Sequence, residues 1–77
     1  MNLYLISQTI NSGYDTYDAA VVAAVDEAAA RLLNPGYDPH WERDSWADSP
    51  DQVTVKHLGL AAAGINAGVL LASFNAG

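Results

Sequence analysis

Few side chains in this 77-residue chain could do chemistry, and their spacing limits what that chemistry would be. The bases are His40 and His57, and there is no cysteine. A nucleophilic triad needs a base beside a hydroxyl or thiol, with an acid to orient it. His40 lies between Pro39 and Trp41 in a loop sequence, while His57 alternates in phase with Val53 and Val55, as a core or edge histidine does. No nucleophile-elbow, phosphate-loop or HExxH pattern accompanies either histidine. Asp44, Asp48 and Asp51 lack the glycine and the terminal glutamate of an EF-hand calcium loop. Without cysteine, two distant histidines are a poor zinc set. The expectation is a protein that is not an enzyme, with no catalytic residue, no metal site and no cofactor.

What the chain does carry is negative charge, unevenly placed. The net charge is −6. Residues 34–52 hold Asp38, Glu42, Asp44, Asp48 and Asp51 against Arg43, and residues 14–18 add Asp15 and Asp18. Asp26 and Glu27 are balanced by Arg31 and Lys56. The charge therefore sits in the most turn-rich segments, and the apolar elements are neutral. Such a protein repels nucleic acid and is drawn to basic surfaces, although acidity also serves plain solubility.

Aromatic residues share those segments: Tyr14, Tyr17, Trp41 and Trp46. Stacking on single-stranded nucleic acid would require interleaved Lys and Arg, of which the whole chain has three. Aromatics bordered by acids match a protein interface better, with one tryptophan expected to roof the core. The candidate partner-binding residues are Tyr14, Asp15, Tyr17, Asp18, Asp38, Trp41, Glu42, Asp44, Asp48 and Asp51. The partner expected is a host protein with a basic surface, not nucleic acid or membrane, met by a monomer.

The elements that must position these residues follow from pattern. A chain this short makes a single domain, 1–77, near the lower limit for a self-sufficient core. Residues 2–9 alternate with β-favouring side chains and predict a central strand. Asn11, Ser12 and Gly13 are turn chemistry; in a following strand Tyr14, Thr16 and Asp18 would share one face. Residues 19–33 admit two readings. Alanine propensity and an Asp18 cap support one helix; β-branched Val21, Val22 and Val25 support a strand over 19–25, with Asp26 capping a helix over 27–33. The second also suits the helix dipole, with Glu27 in the first turn and Arg31 near the end, and pairs the strand with its predecessor as a hairpin.

Pro35 and Gly36 end that helix, after which residues 34–52 are expected to run over the surface. Trp46 can close a short strand, and Asp48, Ser49, Pro50 and Asp51 read as a helical turn with serine as cap. Residues 53–59 alternate as a half-buried strand. The uncharged run 58–77 is long enough for a membrane span, but its four glycines and two asparagines argue for a turn and a short interior strand over 69–74. The fold class is α+β: a small antiparallel sheet of about four strands, β-β-α-β-β, with one helix packed across it. Residues 1–10 lack a basic region and a cleavage site, so no secretory signal is expected and the location is cytoplasmic, in a host cell.

Two segments carry a family resemblance: Ser12, Gly13, Tyr14, Asp15, Thr16, Tyr17 and Asp18 with the Ala/Val strand that follows, and residues 68–77, GVLLASFNAG. Together they resemble short proteins encoded by phages and mobile elements. In size, acidity and lack of cysteine the chain also looks like the anti-CRISPR proteins, the type I-C inhibitors in particular. That resemblance implies an inhibitor that binds a basic surface of the Cascade surveillance complex and blocks its engagement of target DNA. The alternatives are a phage accessory or structural protein that self-associates, and a small-ligand-binding module that sequesters a signal. A compact domain of this length spans about 30 Å, over which duplex DNA carries roughly 18 phosphates. Six net charges are a poor copy of that, so the expected device is a plug of a few acids and aromatic contacts.

Overall fold

The computed structural model describes residues 1–36, 41 and 43–75. Strand β1 (Asn2–Ser7) and strand β2 (Thr16–Ala24) form an antiparallel hairpin with Leu5 opposite Val21. Helix α1 (Glu27–Arg31) follows, then a 3₁₀ turn (Pro50–Gln52), strand β3 (Thr54–Leu60) and strand β4 (Gly68–Asn75). The four strands pair antiparallel in the order β3-β1-β2-β4. The α+β class stands, with a 3₁₀ turn inserted before β3 in the plain β-β-α-β-β order.

Local chemistry explains the break inside residues 19–33. The Asp26 backbone is extended, and its carboxylate accepts from the Ala29 amide at 2.8 Å, an N-cap that starts the helix there. Glu27 and Arg31 form an i,i+4 pair at 3.3 Å. Arg31 also donates to the Val53 carbonyl, tying the helix end to the start of β3. The helix is shorter than expected, because Leu32 caps it and leaves the helical spiral ahead of Pro35.

Direct pairing puts one row of residues on each face. The row Val55, Ile6, Ala20, Ala72 faces the helix side, and the row Lys56, Leu5, Val21, Leu71 faces away. The core gathers Tyr4, Ile6, Val22 and Val53 with Ala20, Ala24, Ala30, Ala47 and Trp46. Alanines on β2 and α1 leave a hollow that the Trp46 indole fills, and Trp46 is fully buried.

Three expectations need correction. Residues 34–52 do not simply run over the surface: Pro35, Trp46 and Ala47 are buried within the segment, because the small helix leaves the core short of apolar cover. Trp46 closes no strand and lies in a bend. The last strand is not interior. β4 pairs only with β2, and its Leu70, Leu71 and Phe74 are exposed, so its continuous apolar pattern reflects exposure on an edge rather than burial on two sides. The 61–67 connection crosses the end of the sheet between its two edges, with the Ala61 amide donating to Met1 O at 3.0 Å. Gly59 and Gly68 flank that crossing at φ 147° and 137°, backbone that only glycine adopts at low cost. Register shifts beside them leave Leu58 and Leu70 without a directly opposed partner.

The Trp46 Nε1 proton has no hydrogen-bond partner in its buried position. Trp46→Ala is expected to cost roughly 3–5 kcal/mol through the cavity it leaves. Trp46→Phe removes an unpaired donor, itself worth ~1–3 kcal/mol, together with part of the ring. It should lie within about 1.5 kcal/mol of wild type. Urea denaturation of the two variants distinguishes these outcomes, and equal losses would refute the role assigned to the ring.

Candidate functional site

A groove of about 420 Å³ opens where the β1–β2 connection, the start of β2 and the end of β4 meet Gly36, Asp44 and Ser45. Tyr14, Asp15, Tyr17, Asp44 and Phe74 line it with Gly36 and Ser45. Four residues singled out in the sequence, Tyr14, Asp15, Tyr17 and Asp44, thus come together from positions up to 30 apart.

A lattice of amide side chains builds this end of the molecule. Gln8 is buried and its Nε2 donates to Asn11 O at 2.7 Å and Tyr17 O at 2.8 Å, while its Oε1 accepts from the Asn11 amide at 2.8 Å. Asn11 Nδ2 reaches across to the segment beyond Trp41, donating to Asp44 O at 2.9 Å and Arg43 O at 3.1 Å. The Tyr17 amide donates to Ser45 O at 2.8 Å, which extends β2 onto the same segment. Thr16 Oγ1 donates to Gly13 O at 2.7 Å, and Asn75 Nδ2 donates to Gly13 O at 3.2 Å and Ser12 O at 3.3 Å.

Those bonds hold a turn that a free loop would not keep. Asp15 stands at φ 59°, a left-handed conformation that Asp tolerates better than most residues, and its amide donates to Asn75 O at 2.7 Å. Asp15 is thereby turned outward beside Tyr14, which is 79% exposed. Tyr17 and Phe74 pair across β2 and β4 with ring centroids 4.8 Å apart at 54°, forming the apolar wall.

The remaining candidates are placed elsewhere. Trp41 is not among the groove's lining residues; it packs against the core and its Nε1 donates to Ala47 O at 2.7 Å. Asp48 precedes the 3₁₀ turn and Asp51 lies within it, and the Asp48 amide donates to Gln52 Oε1 at 3.0 Å. Asp18 is exposed while Thr16 is buried, so these two do not share a face as simple alternation requires. A register shift between Tyr17 and Ala19 breaks the alternation there. Asp38 and Glu42 lie outside the described residues, as does His40.

His57 is an edge histidine, its ring 5.3 Å from Tyr4 and its Nε2 3.2 Å from Asn2 Oδ1. Among the described residues no three His, Cys, Asp or Glu side chains are grouped to hold a metal ion. No helix among them is long and apolar enough to cross a membrane. The uncharged run from residue 58 instead ends β3, crosses the sheet end and forms β4.

Gln8, Asn11, Phe74 and Asn75 escaped the sequence reading as parts of a site. Gln8 breaks an otherwise apolar strand pattern, which is the usual mark of a buried, satisfied amide. By its sequence context Asn11 is a turn former only. Comparison with family profiles, with curated protein sequences and with solved structures found no match.

Asn11→Ala is expected to cost about 1–3 kcal/mol by removing the bonds to Arg43 and Asp44. It should also speed hydrogen exchange of the Tyr17 amide, which bonds the same segment. Unchanged exchange at Tyr17 would show that Asn11 does not hold the groove together.

Proposed function

We propose that this protein is a non-enzymatic inhibitor that binds a basic surface on a host defence complex, and that the groove between Tyr14 and Asp44 is its contact. The phage-protein and anti-CRISPR resemblance of the sequence points to Cascade as that complex and to blocked target-DNA engagement as the outcome. The observation that carries the reading is convergence: two tyrosines, a phenylalanine and two aspartates meet in one groove from three parts of the chain.

That lining suits a cationic side chain. A guanidinium can stack on an aromatic face while a carboxylate takes its N–H groups, which gives both affinity and geometric selection. The aromatic wall is rigid because Tyr17 and Phe74 brace each other, so little side-chain entropy is lost on contact. Carboxylates at the rim would also steer association with a lysine- and arginine-rich surface.

The molecule measures 35 × 22 × 21 Å. Duplex DNA of its longest dimension carries about 20 phosphates, against a net protein charge of −6. Local anchoring of a few basic side chains therefore accounts for binding better than imitation of a DNA strand. The groove has a volume in the range of small-ligand sites. Its two aspartates disfavour a nucleotide or another anionic signal, and calorimetry against cyclic nucleotides should give no heat.

Asp15→Lys combined with Asp44→Lys should abolish binding to purified Cascade while the circular dichroism spectrum keeps its folded shape, with a modest fall in thermal midpoint because lysine fits the left-handed backbone at position 15 less well than aspartate. Tyr14→Ala should weaken it by about ten-fold, as loss of an exposed aromatic anchor does. Surface plasmon resonance at two salt concentrations reads both effects, with wild-type association slowed by salt. Unimpaired binding by the double variant would sink the assignment of the groove.

A further inference from the structure

We infer that the groove reads arginine: its anchor is a single arginine side chain on an exposed loop of the partner, for which lysine is a poor substitute. This rests on the groove being the contact surface, and adds which basic residue that surface selects.

Backbone pairing ties the acid to the aromatic wall. The Asp15 amide donates to Asn75 O at 2.7 Å, so Asp15 is bonded to the residue next to Phe74. Phe74 stands directly opposite Tyr17 in the β2–β4 ladder, with the two rings 4.8 Å apart at 54°. The left-handed turn at Asp15 is held by that amide bond and by the bonds that Thr16 Oγ1 and Asn75 Nδ2 donate to Gly13 O. A carboxylate is thereby stationed beside a braced aromatic pair, of which Phe74 is half-exposed. Asp44 lines the same groove and adds to its negative field.

That arrangement discriminates between the two basic side chains. A guanidinium is flat, is weakly hydrated and carries its N–H groups in its own plane. It therefore stacks on a ring and meets a carboxylate edge-on at the same time. An ammonium is compact and strongly hydrated, so in a groove open to solvent it keeps its water and gains little from the rings.

A second hollow favours an arginine carried in a chain over a free one. It measures about 250 Å³ and is lined by Ser12, Gly13, Tyr14 and Asn75. Tyr14 is exposed and lines both hollows, so its ring divides them. A loop seated across Tyr14 places its arginine on the Tyr17 side and a neighbouring residue on the Ser12 side. The second lining carries no charged side chain, so the demand for a cation belongs to the first hollow alone. Free arginine brings its own carboxylate, which Asp15 and Asp44 repel.

Amide chemical-shift titration of the full chain tests this with short capped peptides in which glycines flank a central arginine, lysine or citrulline. Lysine keeps the charge without the plane, and citrulline keeps the plane without the charge. The arginine peptide should shift Tyr14, Asp15, Tyr17 and Phe74 first, with a millimolar dissociation constant about ten-fold below that of either other peptide. Its δ-methylene protons should move upfield under the ring current. Asp15→Asn, which suits the same left-handed backbone, should lower the arginine affinity to that of citrulline. Phe74→Leu should erase the preference for arginine over lysine, and thermal unfolding checks that both variants are folded. Equal affinity for arginine and lysine would overturn the inference. So would citrulline matching arginine, a preference that survives Phe74→Leu, or shifts centred away from the groove. The contact itself fails separately: a protein that prefers arginine while Asp15→Lys with Asp44→Lys still binds Cascade reads arginine on a different partner.

Discussion

A five-residue helix is only about 7.5 Å long and cannot cover a sheet whose strands run about 20 Å. In this protein the missing cover is Trp46. Its indole fills the space left by Ala20, Ala24 and Ala30, and it is the largest fully buried side chain. Without it the helix face of the sheet would lie open, and an isolated helix this short would not persist in water. The long segment between α1 and β3 is therefore a structural layer, anchored by Trp46 and Ala47 and braced by the hydrogen bond from Trp41 to Ala47.

Burial of that tryptophan also builds the groove. Pulling Trp46 into the core draws Arg43, Asp44 and Ser45 against the β1–β2 connection, where Asn11 and the Tyr17 amide take up their carbonyls. The acids and aromatic rings at that end are thus held by the same packing that closes the core. A network of amides satisfied on both sides is stiff, and stiffness is what a shallow protein-binding groove needs to limit its entropic cost on contact.

The two faces of the sheet are treated differently by the same alternation of side chains. One receives the helix and Trp46, while the other presents Leu5, Val21 and the exposed Leu71.

Sequence alone determined the local elements. Period-two alternation marked β1 and β3, β-branched valines with Asp26 favoured β2 followed by α1 while alanine propensity kept a single helix open, and Ser49 with Pro50 marked the 3₁₀ turn. These features act over one to four residues, so their physical cause is written next to their effect. The acids of the candidate site were also visible as charge. What only the tertiary structure decided was strand order, which put apolar β4 on an edge, and the depth of Trp46 and Ala47. It also decided the company each acid keeps: Asp15 and Asp44 share a groove, while Asp48 and Asp51 sit before and within the 3₁₀ turn elsewhere. Those outcomes depend on burying one indole in the core, and on the Asn11 amide finding two carbonyls more than thirty residues away. Volume and long-range hydrogen bonding have no period along a chain, which is why the pattern of residues did not reveal them.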